Sequence, residues 1–384
     1  MSVLSERLAA PRRQRVVKNP FPWYSPRFWH GMRFTTWMRA LIRNRFAVSL
    51  AKLPTALSIT GFSCFNSAAA AAEQLVYGRR IAKVELQQPP IFILGHWRAG
   101  TTFLHELLIR DPAHTYATTY QCFAPHHFVL TDAWITPWTA KILPNRRPMD
   151  NMAAGWQRPQ EDEFALGNLG VPTPYASMMF PQGGPQHEAY LDLHDLSPAQ
   201  RQAWQHALLR FFQRITFCDP RRIVVKSPPH TARVRTLLEM FPEAKFVHIT
   251  RDPYALFVST INLWKSLNEV QRMQGAGEQE WVEEYVLRCH EKMYTAYEAD
   301  RQLLGKHQLY ELRYEELISQ PLETLHDVYQ QLDLGDFARL KGPAQRHLAD
   351  VKNYRRNHYE LSEEKRAVVC QRWAGYFERH GYAG

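Results

Sequence analysis

"PPIFILGHWRAGTTFLHELL", residues 89–108, decides how the rest of this 384-residue chain is read. Ile91 to Leu94 is an unbroken apolar run behind two prolines, the pattern of a short strand buried on both faces. Gly95 and Gly100 then stand at the spacing of a loop that grips phosphate between a strand and a helix. Phe103, Leu104, Leu107 and Leu108 recur at helical spacing as far as Asp111-Pro112. Such a turn aims several backbone N–H groups at one point. The helix N-terminus adds partial positive charge there, so phosphate or sulfate is the natural occupant. The nucleotide-hydrolysing form of this loop continues with Lys and then Ser or Thr. Here Thr101 and Thr102 follow, and the nearest cation is Arg98, inside the loop.

Downstream, strand-like and helix-like stretches alternate. Strands are predicted at 221–227, 244–250 and 308–313. Helices are predicted at 198–217, over the stripe Val234, Leu237, Leu238 and Phe241, over Leu256 to Trp264, up to about residue 304, and near 321–334. That alternation predicts an α/β fold, a parallel sheet with helices on both faces. Residues 118–190, rich in Pro, Gly and aromatics, read as long loops and short helices over a cleft. A further helix is predicted over 66–82. The domain reading is a basic, aromatic N-terminal extension at 1–85 and one catalytic-type domain at 86–384.

The formal net charge of +10 asks for an anionic partner without choosing one. The basic residues are spread along the chain rather than gathered in a stripe, so nucleic acid is not expected. Cys64, Cys122, Cys218, Cys289 and Cys370 are scattered and unpaired in spacing, as in a reducing, cytoplasmic setting. Residues 46–62 include Lys52 and Pro54 and are too short to span a bilayer. The tryptophans Trp23, Trp29 and Trp37 of the basic N-terminus allow two readings. They pack as satellite core, or the segment lies with 46–62 on an anionic membrane at its inner face.

A phosphate loop that works on ATP needs a metal and a carboxylate after a second strand. In this sequence the second strand ends in Lys226 and the third in Thr250-Arg251, so cations stand where the metal machinery belongs. No metal is expected, since no Cys/His cluster has ligand spacing. Arg251 and Ser259 lie eight residues apart across a helix start at Pro253, a separation that lets both reach one phosphate.

That combination resembles the sulfotransferase family that uses 3′-phosphoadenosine 5′-phosphosulfate (PAPS), over about residues 90–335. The similarity lies in Arg98-Ala99-Gly100-Thr101-Thr102, in "RDPYALFVS" from Arg251 to Ser259, and in "LRYEEL" at 312–317. "VVKSPPH" (224–230) and "RPQEDEFAL" (158–166) are similar to its bacterial branch. The resemblance implies the P-loop-like sulfotransferase fold with PAPS as co-substrate and PAP (3′-phosphoadenosine 5′-phosphate) as product. It implies a 5′-phosphosulfate site at Arg98 to Thr102, a 3′-phosphate site at Arg251 and Ser259, and Tyr314 near the adenine. Where the family's cytosolic branch has a glycine-rich phosphate-binding segment, this chain reads "NYRRNHYELSEE", with Arg355 and Arg356 as the candidate replacements. The rivals are a P-loop kinase or NTPase and a non-catalytic nucleotide-binding protein.

Sulfuryl transfer needs stabilisation of the departing phosphate, for which Arg98, Lys226 and the Thr101/Thr102 donors are candidates, and a base for the acceptor hydroxyl. Glu161, Glu163 and His230 are the candidate bases. Trp156 and Phe164 beside the acidic run are expected to raise a carboxylate pKa. Glu163 is favoured because Phe164 begins the apolar run after it. The many aromatic and methionine residues between Phe123 and Phe180 are core beneath a lid or the wall of a pocket for a lipid or other apolar small-molecule acceptor.

Overall fold

The computed structural model describes residues 17, 19–22, 24–144, 146–148, 152–277, 279–351 and 361–383. Its centre is β1 (Ile91–Leu94), all four residues buried. The flanking strands are β2 (His114–Tyr116), β3 (Arg222–Lys226), β4 (Lys245–Thr250) and β5 (Leu309–Arg313), in the order β2-β3-β1-β4-β5. Every pairing is parallel. The parallel α/β prediction is met, and each predicted strand forms within a residue of its expected bounds. β2 has no counterpart in the sequence reading. At three residues on the sheet edge, spelling His-Thr-Tyr, it is too short and too polar to show a periodic signal.

Parallel strands need crossover connections. Here these are supplied by α3 (Thr101–Leu108), α7 (Pro198–Cys218), α8 (Val234–Met240), α9 (Pro253–Gln271) and α10 (Trp281–Asp300). Their starts are chemically marked. Ser197 and Gln200 form a reciprocal capping box on α7, and Asp252 accepts the Ala255 N–H at 2.8 Å with Pro253 in the first turn of α9. Between α3 and α7 run the short α4 (Thr119–Phe123), α5 (Phe128–Thr139) and α6 (Asp162–Leu169), the last ended by Gly170 in the left-handed conformation. After β5 come α11 (Tyr314–Ser319), α12 (Pro321–Leu332), α13 (Ala338–Asp350), α14 (Glu363–Arg372) and α15 (Ala374–His380).

The N-terminal region folds as α1 (Phe34–Arg43) and the long α2 (Leu53–Ile81). The helix predicted at 66–82 therefore starts 13 residues earlier than expected, at Leu53 rather than Asn66. Residues 53–65 carry Thr, Ser, Gly and Phe, which are poor helix formers, and their apolar residues do not follow the inward-facing stripe. Trp29 and Trp37 are buried, and the Trp29 indole N–H donates to the Gln271 carbonyl at 2.8 Å. Phe28 stacks on Phe164 at 3.8 Å between centroids. The N-terminal segment thus packs against the helices that cover the sheet; Trp23 lies outside the described residues.

Candidate active site

Strand register gathers the sequence motifs at one edge of the sheet. Ile93 lies opposite Lys226, Leu94 opposite His248, and Thr250 opposite Arg313, so the loop after β1, Lys226, Arg251 and Tyr314 all leave the carboxyl ends of neighbouring strands. This is where ligands bind in open α/β sheets. Both loop glycines are required by geometry. Gly95 has φ 144°, and a Cβ there would sit 2.6 Å from the Ile249 carbonyl oxygen. Gly100 has φ 108°, and a Cβ there would collide with the Tyr314 ring. Between them Arg98 also holds a positive φ of 70°, a conformation that costs a residue with a side chain and that gathers at functional sites.

The loop is pinned from three sides. Gly95 N–H donates to Thr231 Oγ1 at 2.7 Å, Ala99 N–H to the His96 carbonyl at 3.1 Å, and Thr260 Oγ1 to the Trp97 carbonyl at 3.0 Å. Gly100 is the N-cap of α3 and has no side chain to offer, so no side chain caps the first N–H groups of that helix, those of Thr101 and Thr102 included. The result is a fixed turn that ends at an uncapped helix start, a place suited to an oxyanion.

On one side of this loop Arg98 Nε donates to Ser259 Oγ at 2.9 Å, and Arg251 Nη1 donates to the Arg98 carbonyl at 2.9 Å. The Arg251 guanidinium lies 4.6 Å from the centroid of the Tyr314 ring. Arg98, Gly100, Arg251, Ser259 and Tyr314, drawn from three separate sequence motifs, therefore meet in one cluster. The Tyr376 hydroxyl of α15 bridges the backbone of Arg251, accepting from its N–H at 3.0 Å and donating to its carbonyl at 3.1 Å. Arg355 and Arg356 lie outside the described residues.

On the other side lies the acidic run, and it is buried rather than solvated. Each carboxylate takes a different partner. Glu161, the N-cap of α6, meets Lys226 Nζ at 2.5 Å through Oε1 and the Tyr175 hydroxyl at 2.5 Å through Oε2. Asp162 accepts from Ser227 Oγ at 2.5 Å and pairs with His230 Nε2 at 2.8 Å. Glu163 is held by Arg233, whose Nη1 is 2.6 Å from Oε2, and accepts the Thr173 hydroxyl at 2.5 Å. Arg233 also donates to the carbonyls of Tyr190 and Leu191 and lies 5.0 Å from the Trp204 ring centroid.

These environments set the charges. Burial lowers the pKa of the Lys226 ammonium, while Glu161 beside it pulls the other way. Burial and the neighbouring Glu161 carboxylate push the Tyr175 phenol well above its ordinary value, so it stays protonated and donates. Burial also pushes the Asp162 carboxyl up, but His230 and Ser227 outweigh that and hold it below the ordinary carboxylate value. For Asp162 the imidazole and hydroxyl that reach it come from the segment after β3, which the sequence could not show.

A hydrogen-bonded chain links the two sides. The Trp97 indole N–H, from the loop itself, donates to the Tyr175 hydroxyl at 2.8 Å, which in turn donates to Glu161. Sequence reasoning did not single out Trp97, Ser227, Thr231 or Arg233 as site residues, and placed Tyr175 only in a pocket wall. Trp97 and Ser227 each sit within three residues of a strand end, the one signal that pointed to them.

Comparison with known proteins agrees with this geometry. Residues 89–338 match the Sulfotransferase family. Over 360 residues, 94% of this chain and 92% of the relative, the sequence is 42% identical to the omega-hydroxy-beta-dihydromenaquinone-9 sulfotransferase Stf3 of Mycobacterium bovis. The chain belongs to the sulfotransferase family. Stf3 of Mycobacterium tuberculosis matches equally well. Among solved structures the fold is shared with the sulfotransferase STF9 from Mycobacterium avium, with a TM-score of 0.65 at 19% identity over 92% of this chain and 97% of that one. Sulfotransferase STF1 from Mycobacterium tuberculosis H37Rv gives 0.59 at 20% identity, over 88% and 90%. The P-loop-like fold expected of the resemblance is thereby established.

A cavity of about 330 Å³ opens beside this sulfotransferase site, between α1 and the segment after α6. Trp29, Met32, Val171, Met179 and Phe180 line it, with Arg39 and Arg43 at α1. Thr173 belongs both to its wall and to the Glu163 cluster. Of the residues the sequence assigned to an acceptor pocket, Met179 and Phe180 line this cavity, whereas Phe164, Tyr175 and Met178 are buried in the core and Trp134 and Trp138 are exposed.

Proposed function

We propose that this sulfotransferase moves a sulfuryl group from PAPS to the hydroxyl of an apolar, lipid-like alcohol, with Glu161 as the general base. The observation that carries the reading is the Glu161–Lys226 pair, joined through Tyr175 and Trp97 to the anion loop. It offers a carboxylate for the proton and an ammonium for developing negative charge, 2.5 Å apart, at the sheet edge. PAPS supplies the sulfuryl group and its phosphate leaving group. Arg98, Thr101 and Thr102 are suited to the 5′ side, with Ala99 and Gly100 shaping the turn. Arg251 and Ser259 are suited to the 3′-phosphate, and Tyr314 to the adenine.

Glu161 replaces Glu163, the residue favoured from sequence, for a physical reason. Arg233 grips both Glu163 oxygens in a fork and is itself fixed by two backbone carbonyls, whereas Glu161 meets a lysine ammonium and a hydroxyl, so Glu163 braces the site. His230 is fully buried behind Asp162, between the rings of Phe92 and Trp204, and acts as a positioning residue. The acceptor class follows from the apolar cavity and from the relatives named for a hydroxylated menaquinone.

Isothermal titration with PAP and with ATP plus Mg²⁺, followed by transfer from labelled PAPS to a hydroxylated polyprenyl quinone and to a sugar, tests the proposal. PAP binding and transfer to the quinone are expected. Tighter binding of ATP–Mg²⁺ than of PAP overturns the donor assignment, and transfer to the sugar alone overturns the acceptor class.

A further inference from the structure

Helix α2 is apolar on both sides. Its inward side mixes Ile59 and Ile81 with Ser63, Asn66 and Glu73, all buried, and each of the three polar residues has a polar partner. Asn66 donates to the carbonyls of His30 and Met32 and meets His127, Ser63 Oγ donates to the Thr60 carbonyl, and Glu73 pairs with Arg214 at 2.9 Å. Its outward side exposes six large hydrophobics, Leu53, Leu57, Phe62, Phe65, Leu75 and Val76, and its charged residues Arg79 and Arg80 come only in the last turn. A helix on a water-facing surface carries charged and polar residues there.

The apolar exposure is concentrated in one part of the chain. Among the described residues, every exposed large hydrophobic except Leu209, Leu303 and Val368 lies between Tyr24 and Ile142. Leu50 is 85% exposed and Leu57 71%. The turn entering α2 holds Arg45 and Phe46 at φ 51° and 53°, a costly backbone that leaves the Phe46 ring 60% exposed. Helix α5 packs beside α2 and adds Trp134 and Trp138, the latter 85% exposed. The charge is equally one-sided. From Tyr24 to Ala72 the chain carries Arg27, Arg33, Arg39, Arg43, Arg45 and Lys52 and no Asp or Glu.

We infer that this face rests on an anionic lipid bilayer, with the outer stripe of α2, Phe46 and Leu50 in the boundary between headgroups and acyl chains. An apolar stripe flanked by Arg33, Arg39, Arg43, Arg45 and Lys52 and lacking carboxylates complements a negative, apolar surface. No described helix is long and apolar enough to cross a membrane, so the contact is peripheral. The cavity beside the site is lined by Ala40, Ile42, Arg43 and Asn44, at the end of α1 next to this turn. The membrane contact rests on the surface alone and does not depend on the transfer proposed above.

The test is sedimentation of the full chain with vesicles of mixed phosphatidylglycerol and phosphatidylcholine, against pure phosphatidylcholine. The double variant Leu50→Glu/Leu57→Glu is run in parallel. Binding to the anionic vesicles, weaker binding to the neutral ones, and a loss of roughly tenfold or more in the double variant are expected. Both residues are exposed, so melting temperature and PAP affinity should match the parent and show that the variant folds. Absence of vesicle binding by the parent, or equal binding by the variant, overturns the inference. So does a chain that forms a dimer split by the same substitutions without binding vesicles, because a second copy then covers the face.

Discussion

Glu161 and Glu163 stand two residues apart, both buried, both paired with a cation, and sit in different surroundings. Glu161 faces Lys226 at the end of β3 and reaches the anion loop through Tyr175 and Trp97. Glu163 faces Arg233, which is locked to backbone carbonyls and stacked near Trp204. The difference lies in the cation. A lysine ammonium on a flexible stem is a point charge that can exchange partners, whereas a guanidinium with its donors fixed in a fork holds one geometry. The first pair can take part in chemistry. The second is fixed in one geometry.

The sharpest way to break this contrast is to neutralise each carboxylate in turn. Glu161→Gln should lower kcat by about 10²–10⁴-fold with PAP affinity nearly unchanged, because glutamine keeps the shape and accepts no proton. Single-turnover transfer read beside PAP titration decides it; unimpaired turnover removes Glu161 from the mechanism. Glu163→Gln should instead appear in stability. It strands a buried guanidinium, and breaking such a pair costs about 3–5 kcal/mol. Denaturant unfolding should show that loss, while kcat of the folded protein stays within a few-fold. A variant of normal stability and crippled kcat would reverse the two roles.

The donor half offers a smaller effect. Arg251→Ala removes a charge-assisted contact of about 1.5–3 kcal/mol. It should weaken PAP binding far more than binding of adenosine 5′-phosphosulfate, which lacks the 3′-phosphate. Equal losses would place Arg251 elsewhere on the donor.

The least abrupt change follows pH. His96 beneath the loop and His105 behind β3 are kept neutral by burial, with pKa pushed down to about 3 in both. Unfolded, each takes up a proton below about pH 6.5, and the folded protein does not follow. Stability should therefore be full above that value and fall as pH drops towards 3, by about 1.4 kcal/mol per unit for each group. Unfolding midpoints from pH 7 to 5 should decline accordingly, and His96→Gln should flatten the slope. A parent midpoint independent of pH would show that these imidazoles ionise in place.

Much of the donor half was legible beforehand. A short apolar strand, two glycines and an arginine in the loop report local requirements, since strand burial, positive φ and helix start are set by neighbours within a few residues. The separation of Arg251 and Ser259 was readable for the same reason: Pro253 opens α9 and two turns bring Ser259 round to Arg98. The acidic run was visible as a cluster, but its division of labour was not, because the partners lie 65 to 70 positions away. The length of α2 was also misread. Its first half exposes Leu53, Leu57, Phe62 and Phe65 beside the buried Ile59, so apolar residues there do not mark a single stripe.

The sequence by itself determined the alternation of the longer strands and helices around β1 and the glycine loop that follows it, since these depend on residue type and short-range spacing. Tertiary structure alone decided which carboxylate meets the lysine, that Trp97 and Tyr175 join the two halves, and that α2 leaves Leu57, Phe62 and Phe65 exposed. Those outcomes depend on which side chains converge in three dimensions, and spacing along a chain does not encode the direction in which a buried side chain finds its partner.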